Sequence, residues 1–318
     1  MMSYIHTLVS VFLLESLKNT LYNQIVAIKV RETGMIFIKI GANTWIWVSP
    51  FTTKHADLVP KVKQMGFDVI EIAAEDWDLI DITQIRNMLM RFHLDVTVCG
   101  AFGPTRDLIS DEEGIRANAY QYIEHSIVKT AALGATIFAG PMYSSVGKAR
   151  LVDAEQKKIE TERFVSAMHK LTRLAAASGV TLCVEPLNRF ETDFVNITEQ
   201  AVYLVDLVNH PNIGIHLDTF HMGIEEKNMG DAIRLAAHRL KHFHSCENHR
   251  GAPGTGLVPW ESVRVALREI NYQGCMVIES FTPGVLEIAR AAAIWRPLAR
   301  SQDQLAEDGL HFLRGIFG

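Results

Sequence analysis

Short runs of apolar residues recur along the chain, and four of them follow an amphipathic stretch that ends in glycine. The runs are continuously apolar rather than alternating, which is typical of parallel strands covered on both faces. A glycine in that place suits the left-handed residue that closes a helix. The pattern predicts strands at residues 36–41, 67–71, 94–99, 135–138, 180–185, 213–218, 240–244 and 275–279.

Amphipathic helices are predicted between these strands. Ser110, Asp153 and Asn196 each stand three residues before an acid or an amide, as helix-capping side chains do. Eight strands alternating with helices predict a single (β/α)₈ barrel, in which functional residues lie at the carboxyl ends of the strands. A doubly wound sheet is the alternative, but no glycine-rich phosphate turn follows the first strand.

The barrel is predicted to occupy residues 35–318, with residues 1–34 forming an extension outside the fold. An apolar stretch at residues 8–14 lacks a preceding basic residue and a small-residue cleavage site, so a secretory signal is not expected. The stretch is also too short to span a membrane. A short helix packed on the barrel is the alternative for the extension.

Composition narrows the class of protein and its partners. The 318 residues are 48% hydrophobic, enough to bury one large core. The net charge of −5 gives no electrostatic reason to bind nucleic acid, and no membrane association is expected. The four cysteines, at positions 99, 183, 246 and 275, show no paired spacing, which predicts reduced thiols and a cytoplasmic protein.

Four consecutive predicted strands end in residue types that bind metals: Glu185, Asp218, His244 and Glu279. Any one of them is more often a loop cap, a salt-bridge partner or an ordinary buried histidine. Together on one rim, the three carboxylates would repel one another unless a cation lay between them. The sequence therefore predicts a metal site at the mouth of the barrel.

Three carboxylates and one imidazole make a hard, oxygen-rich site, which favours Mn²⁺, with Mg²⁺ or Co²⁺ as alternatives. The cysteines are not needed as ligands. Because the carboxylates outweigh the charge of one divalent cation, a neutral polyol or carbonyl compound is easier to accept there than a phosphate.

Four strings of residues resemble the ketose 3-epimerases, the family of D-tagatose, D-allulose (psicose) and L-ribulose 3-epimerases within the xylose isomerase-like barrels. They are VEPLNRFE at 184–191, LDTFHMGIEE at 217–226, HFHSCENHR at 242–250 and VIESF at 277–281. The similarity extends from about residue 38 to the C-terminus. It implies a barrel that binds Mn²⁺ through the four strand-end residues and acts on a free ketose.

The resemblance also implies that three side chains contact the sugar near O1 to O3: Glu191, His221 and Arg250. Cys99 matches a pocket position that helps to set substrate preference in the family, although a buried core thiol is the alternative. Glu71 is a further candidate for the pocket wall, as are Trp45, Trp47, Trp77 and Phe102, because they lie near the ends of early strands.

The family usually has glycine two residues after the metal-binding histidine, where this chain has Cys246, so the loop there is expected to differ in shape. The resemblance further implies a homodimer or a homotetramer.

Inversion at C3 requires a proton to leave one face of the carbon and another to return to the opposite face. Glu185 and Glu279, three strands apart around the ring, are predicted to act as this acid/base pair through an enediolate. A hydroxypyruvate or aldose–ketose isomerase and a polyol dehydratase are alternatives on the same barrel. A non-catalytic sugar-binding barrel is another, whereas an apurinic-site endonuclease would need extra histidines and a basic face that the sequence does not indicate.

Overall fold

The computed structural model describes residues 38–318. Within this range eight parallel strands close into a barrel, in which each strand pairs with the next and the last pairs with the first. The strands are β1 (Ile40–Asn43), β2 (Val69–Ala74), β3 (Asp95–Gly100), β4 (Ile137–Gly140), β5 (Thr181–Val184), β6 (Ile213–Asp218), β7 (Leu240–Ser245) and β8 (Met276–Ile278).

Helices follow every strand and surround the barrel, which confirms the predicted (β/α)₈ fold. They are α1 (Leu58–Gln64), α2 (Ile82–Phe92), α3 (Glu113–Leu133), α4 (Ala154–Ser178), α5 (Thr198–Val208), α6 (Thr219–Glu225), α7 (Met229–Ala236), α8 (Trp260–Glu269), α9 (Leu286–Ala291) and α10 (Gln302–Phe317). No helix in residues 38–318 is long and apolar enough to cross a membrane.

Strand positions agree with the prediction more closely than strand ends do. β2 continues to Ala74, three residues beyond its predicted end, so Glu71 lies inside the strand rather than in the loop after it. β5 and β8 each stop one residue early, which leaves Glu185 and Glu279 directly after them. The prediction for residues 1–34 falls outside the described part of the chain.

Only one of the three predicted helix caps is confirmed. The side chain of Asp153 accepts the backbone N–H three residues on and begins α4. Ser110 is wrong as a cap, because α3 begins after Glu112 and the Ser110 hydroxyl accepts the N–H of that residue. Asn196 is also wrong, because its amide holds the preceding loop by donating to the carbonyl oxygens of Leu187 and Thr192.

Pairing between strands arranges polar side chains in two levels along the barrel axis. Asp218 on β6 is level with His244 on β7, near the carboxyl ends of these strands. Two residues earlier, His216 is level with His242. Since alternate residues of a strand point to the same face, both levels face the same side of the sheet. The barrel therefore carries an outer and an inner layer of polar groups.

Candidate active site

Four side chains from consecutive strands converge at the carboxyl end of the barrel. We call them the outer ring: Glu185, Asp218, His244 and Glu279. Ligand-type atoms of Asp218, His244 and Glu279 all lie within 4.8 Å of one another, and Glu185 forms an equally close group with Asp218 and His221. None of the four is more than 6% exposed. The structure thus brings together the four strand-end residues that the sequence singled out.

The outer ring has the donor set and the orientation of a cation site. His244 Nδ1 is buried without a hydrogen bond and lies 3.3 Å from Glu279 Oε1. Burying a ring nitrogen without a bonding partner costs free energy. Its position beside carboxylates therefore indicates that a bound group supplies the missing partner. Three carboxylates and one imidazole fit Mn²⁺, Mg²⁺ or Co²⁺.

Burial shifts the acid–base properties of the ring carboxyls. It raises the pKa of Glu185 well above the usual value, and the charge of nearby Glu279 adds to the rise. It also raises the pKa of Asp218, although Arg250 acts in the opposite direction. Burial would raise the pKa of Glu279 too, but His244 and Arg250 outweigh it and lower that pKa. Burial and mutual repulsion thus oppose ionisation of Glu185 and Asp218, and a bound cation would offset both effects.

Arg250 lies against the outer ring. Its Nη1 donates to Asp218 Oδ2 and to Glu279 Oε2, both at 2.8 Å. The guanidinium carbon lies 3.8 Å from the centroid of the Phe220 ring. The backbone φ of Arg250 is +64°, an uncommon value for a residue other than glycine and one that concentrates at functional sites. The loop after β7 therefore holds this guanidinium at the mouth of the barrel.

His221 and Glu191 are joined through Asn188, a residue that the sequence reasoning missed. His221 Nδ1 accepts the backbone N–H of Asn188 at 3.0 Å, and Asn188 Nδ2 donates to Glu191 Oε1 at 2.8 Å. The other ring nitrogen of His221 lies 3.8 Å from Glu185 Oε1. Burial raises the pKa of Glu191. The signal was available, because Asn188 lies within the string that carries the family resemblance.

The mouth on the side of the first three strands is apolar. A buried cluster there consists of Trp45, Ala73, Cys99, Phe281, Ala289 and Ile294. The Cys99 thiol accepts from Asn43 Nδ2 at 3.2 Å and is 2% exposed. Cys99 thus combines a core position with a place in this wall, so its predicted contact with substrate stays a prediction.

Three other candidates for the pocket wall bond elsewhere. The indole N–H of Trp47 donates to Asp303 in α10, and that of Trp77 donates to Ser126 in α3. Glu71 lies one layer below the outer ring, fully buried within β2. The prediction that Glu71 lines the pocket is therefore wrong, because its carboxylate contacts side chains inside the barrel and does not face the mouth.

Two histidines accompany His244 inside the barrel. His216, His242 and His244 are all buried, and one nitrogen of each lies within 4.8 Å of the others. The prediction that no extra histidines occur beside the metal ligands is therefore wrong. The sequence already indicated their position. His216 and His242 each precede a strand-end residue by two positions, and so point to the same face of the sheet as that residue.

Cys246, the departure from the family pattern, points at the outer ring. Its Sγ lies 3.6 Å from Asp218 Oδ1. The backbone N–H of Cys246 donates to the Thr219 hydroxyl, which in turn donates to the Cys246 carbonyl oxygen. The loop after β7 is thereby tied to the start of α6.

Known proteins resemble this chain over most of its length. The sequence profile of the xylose isomerase-like TIM barrel family matches residues 59–316. A probable ketose 3-epimerase of Synechocystis is 34% identical over 280 residues, covering 88% of this chain and 97% of the relative. A D-psicose 3-epimerase of Agrobacterium fabrum is 32% identical, covering 88% of this chain and the whole of the relative.

The chain belongs to the ketose 3-epimerase family. Its fold agrees with that of a solved D-allulose 3-epimerase from Methylomonas, with a TM-score of 0.82 at 30% identity over 88% of this chain and 98% of the other. Ketose 3-epimerases are carbohydrate epimerases, which places this chain in the isomerase class of enzymes. The resemblance inferred from the four strings is thereby confirmed.

Proposed function

We propose that the protein is a metal-dependent epimerase that inverts C3 of an unphosphorylated ketose. The observation that carries the proposal is the placement of two buried glutamates, after β5 and after β8, around a ring that also holds Asp218 and His244. Relatives named for D-psicose, D-allulose and L-ribulose support a ketose of five or six carbons.

Glu185, Asp218, His244 and Glu279 would hold the cation, for which Mn²⁺ is the first candidate and Mg²⁺ or Co²⁺ the alternatives. When bound, such a cation supplies Lewis-acid polarisation of the ketose carbonyl, which stabilises the negative charge that develops in the reaction.

Glu185 and Glu279 exchange protons with C3 from opposite faces. One removes the proton to give an enediolate, and the other, in its acid form, returns a proton to the other face. A single base would return the proton to the face from which it came. Positioned acid/base groups of this kind contribute roughly 10²- to 10⁴-fold to the rate.

Arg250 and His221 orient the oxygens beside the reacting carbon. The guanidinium donates to Glu279 Oε2, and the His221 ring, held by Asn188, has its Nε2 3.8 Å from Glu185 Oε1. Charge-assisted hydrogen bonds from them would stabilise an oxyanion at O1 or O2. Glu191, bonded to Asn188, is placed to accept a hydroxyl proton of the sugar.

A free sugar fits this site better than a sugar phosphate. Arg250 at the ring already contacts two carboxylates, and the wall on the other side of the mouth is apolar. A phosphate placed there would meet three acidic side chains without a free cationic partner among them.

Incubation of the Mn²⁺-loaded protein with D-fructose, D-tagatose or L-ribulose in D₂O tests the proposal. We expect NMR to show the C3 epimer with deuterium at C3. Deuterium at C1 alone would indicate an aldose–ketose isomerase, and loss of water would indicate a dehydratase. Either result would overturn the proposal.

A further inference from the structure

Beneath the outer ring, the carboxylate of Glu71 meets a donor on each side. Asn43 Nδ2 donates to Oε1 and Thr97 Oγ1 donates to Oε2, each at 3.0 Å. His244 Nε2 lies 2.5 Å from Oε1, and His242 Nε2 lies 2.7 Å from Oε2. Glu71 is fully buried in the middle of β2. Burying a carboxylate costs free energy unless polar contacts compensate for it. These contacts therefore indicate that Glu71 has a structural role in the barrel.

The orientation of the donors is fixed by the strands. Asn43 and Thr97 are level with Glu71 on the two neighbouring strands, β1 and β3. Asn43 Oδ1 accepts the backbone N–H of Trp45 at 2.8 Å, so its amide nitrogen must be the atom that faces Glu71. Glu71 therefore acts as an acceptor toward Asn43, and Thr97 adds a second donor from the opposite side.

We propose that Glu71 is a positioning residue, which fixes the tautomer and ring orientation of His244 so that Nδ1 is left to bind the cation. An ionised carboxylate can only accept, so the nitrogen of His244 that faces it carries the proton. The other nitrogen, Nδ1, then holds the lone pair beside Glu279 Oε1. A carboxylate that accepts from a metal-binding histidine in this way sets its direction and raises its basicity. The inference rests on the proposed role of His244 as a metal ligand.

A second cation among His216, His242 and His244 is the competing interpretation of the same residues. The contacts of Glu71 argue against it. His244 Nε2 and His242 Nε2 lie 2.5 and 2.7 Å from its oxygens, and a nitrogen that carries its proton toward an ionised carboxylate has no lone pair for a second cation. One cation per chain is therefore expected, bound by the outer ring.

The first experiment compares the metal affinity of the wild-type protein with E71Q, E71A and the control E160Q. Competition with a fluorescent chelator gives the dissociation constant for Mn²⁺. We expect roughly a 10- to 100-fold weaker affinity in E71A, with E71Q less affected because its amide oxygen still accepts from His244. E160Q alters a buried carboxylate on α4 whose hydrogen bonds go to Arg150 and Gln156 rather than to the outer ring, and it should bind Mn²⁺ as the wild type does.

The second experiment needs no variant. Proton NMR of the Co²⁺-loaded wild type should show one strongly shifted resonance, from the Nε2 proton of His244, that disappears in D₂O. Unchanged Mn²⁺ affinity in both Glu71 variants, absence of that resonance, or two cations per chain would each overturn the inference. Weaker Mn²⁺ binding by the Glu71 variants in a protein that epimerises no ketose would support the inference while the proposed function fails.

Discussion

The outer ring and the inner layer of the barrel are built from the same kinds of side chain, yet they are satisfied differently. In the inner layer, Glu71 has hydrogen bonds with Asn43, Thr97 and His244, and His242 Nε2 lies 2.7 Å from its Oε2. In the outer ring, His244 Nδ1 has no hydrogen bond, and one nitrogen of Arg250 serves two carboxylates. The outer ring, which also carries the three clustered carboxylates, is therefore the layer suited to bind a cation and a substrate.

This difference gives the two layers different roles: the inner layer holds the site in place, and the outer ring binds the cation and substrate. A buried carboxylate surrounded by protein donors is stabilised as an anion, so it gains little from binding a cation. Carboxylates that lack such donors repel one another until a positive charge arrives. Substitutions in the outer ring should therefore remove activity, whereas those in the inner layer should act through metal binding or stability.

The largest effect is expected from E185Q and E279Q. Each should lower kcat for epimerisation by roughly 10²- to 10⁴-fold, because one face of C3 loses its acid/base group. Each variant should still exchange the C3 proton of one epimer with D₂O without inversion, and the two variants should act on opposite epimers. Steady-state kinetics and NMR of each pure epimer provide the measurements.

E160Q is the matched control, since it neutralises a buried glutamate that bonds to Arg150 and Gln156 and not to the outer ring. It should retain the wild-type kcat even if its thermal stability falls. Full inversion by either E185Q or E279Q would show that two bases are not needed and would return the isomerase alternative to consideration.

Removal of the cation should lower stability as well as activity. Among the described residues, the outer ring concentrates three buried carboxylates in one place, so a cation that binds only the folded state should stabilise it. Mn²⁺ at 100 times its dissociation constant should add about 2.7 kcal/mol to the free energy of unfolding. Thermal unfolding with EDTA and then with Mn²⁺ measures this gain, which should be much smaller in D218A.

A smaller effect is expected from R250K. Lysine keeps the positive charge but loses the planar guanidinium, whose Nη1 reaches both Asp218 and Glu279 and whose plane contacts Phe220. We expect a loss of about 1.5 kcal/mol in transition-state stabilisation, roughly tenfold in kcat/KM. A wild-type kcat/KM for R250K would show that charge alone suffices at this position.

The sequence predicts the ring because strand periodicity and strand ends are local properties. Glu185, Asp218, His244 and Glu279 each close an apolar run, and the barrel then determines that they meet. The position of Glu71 along the barrel axis could not be predicted from these local properties. The apolar residues that follow it in β2 are equally compatible with a strand or a buried loop, so its predicted position at the strand end was three residues short.

Contacts made by loops were the other part that the sequence could not show. The positive φ of Arg250 and its bonds to Asp218 and Glu279 depend on how the loop after β7 folds over β6 and β8. His216 and His242, by contrast, could have been found from the sequence. Each lies two residues before a predicted ligand, and the alternation of side chains in a strand places them directly below it.

The smallest effect is expected from H216M, compared with H242M at the same level on the neighbouring strand. Both ring nitrogens of His216 are buried without hydrogen bonds, the nearer one 3.5 Å from Glu185 Oε2. A methionine of similar volume would remove these unpartnered atoms, so the free energy of unfolding should be unchanged or higher by up to about 1 kcal/mol. Thermal unfolding and kcat provide the measurements.

H242M should behave in the opposite way, because it removes the imidazole whose Nε2 lies 2.7 Å from Oε2 of the buried Glu71 carboxylate. Leaving that buried charge with fewer partners should cost about 1 to 3 kcal/mol of stability. Equal stability losses in the two variants would mean that His216 has a polar partner of its own in solution. His216 and His242 would then both stabilise the inner layer beneath the outer ring, rather than Glu71 and His242 alone.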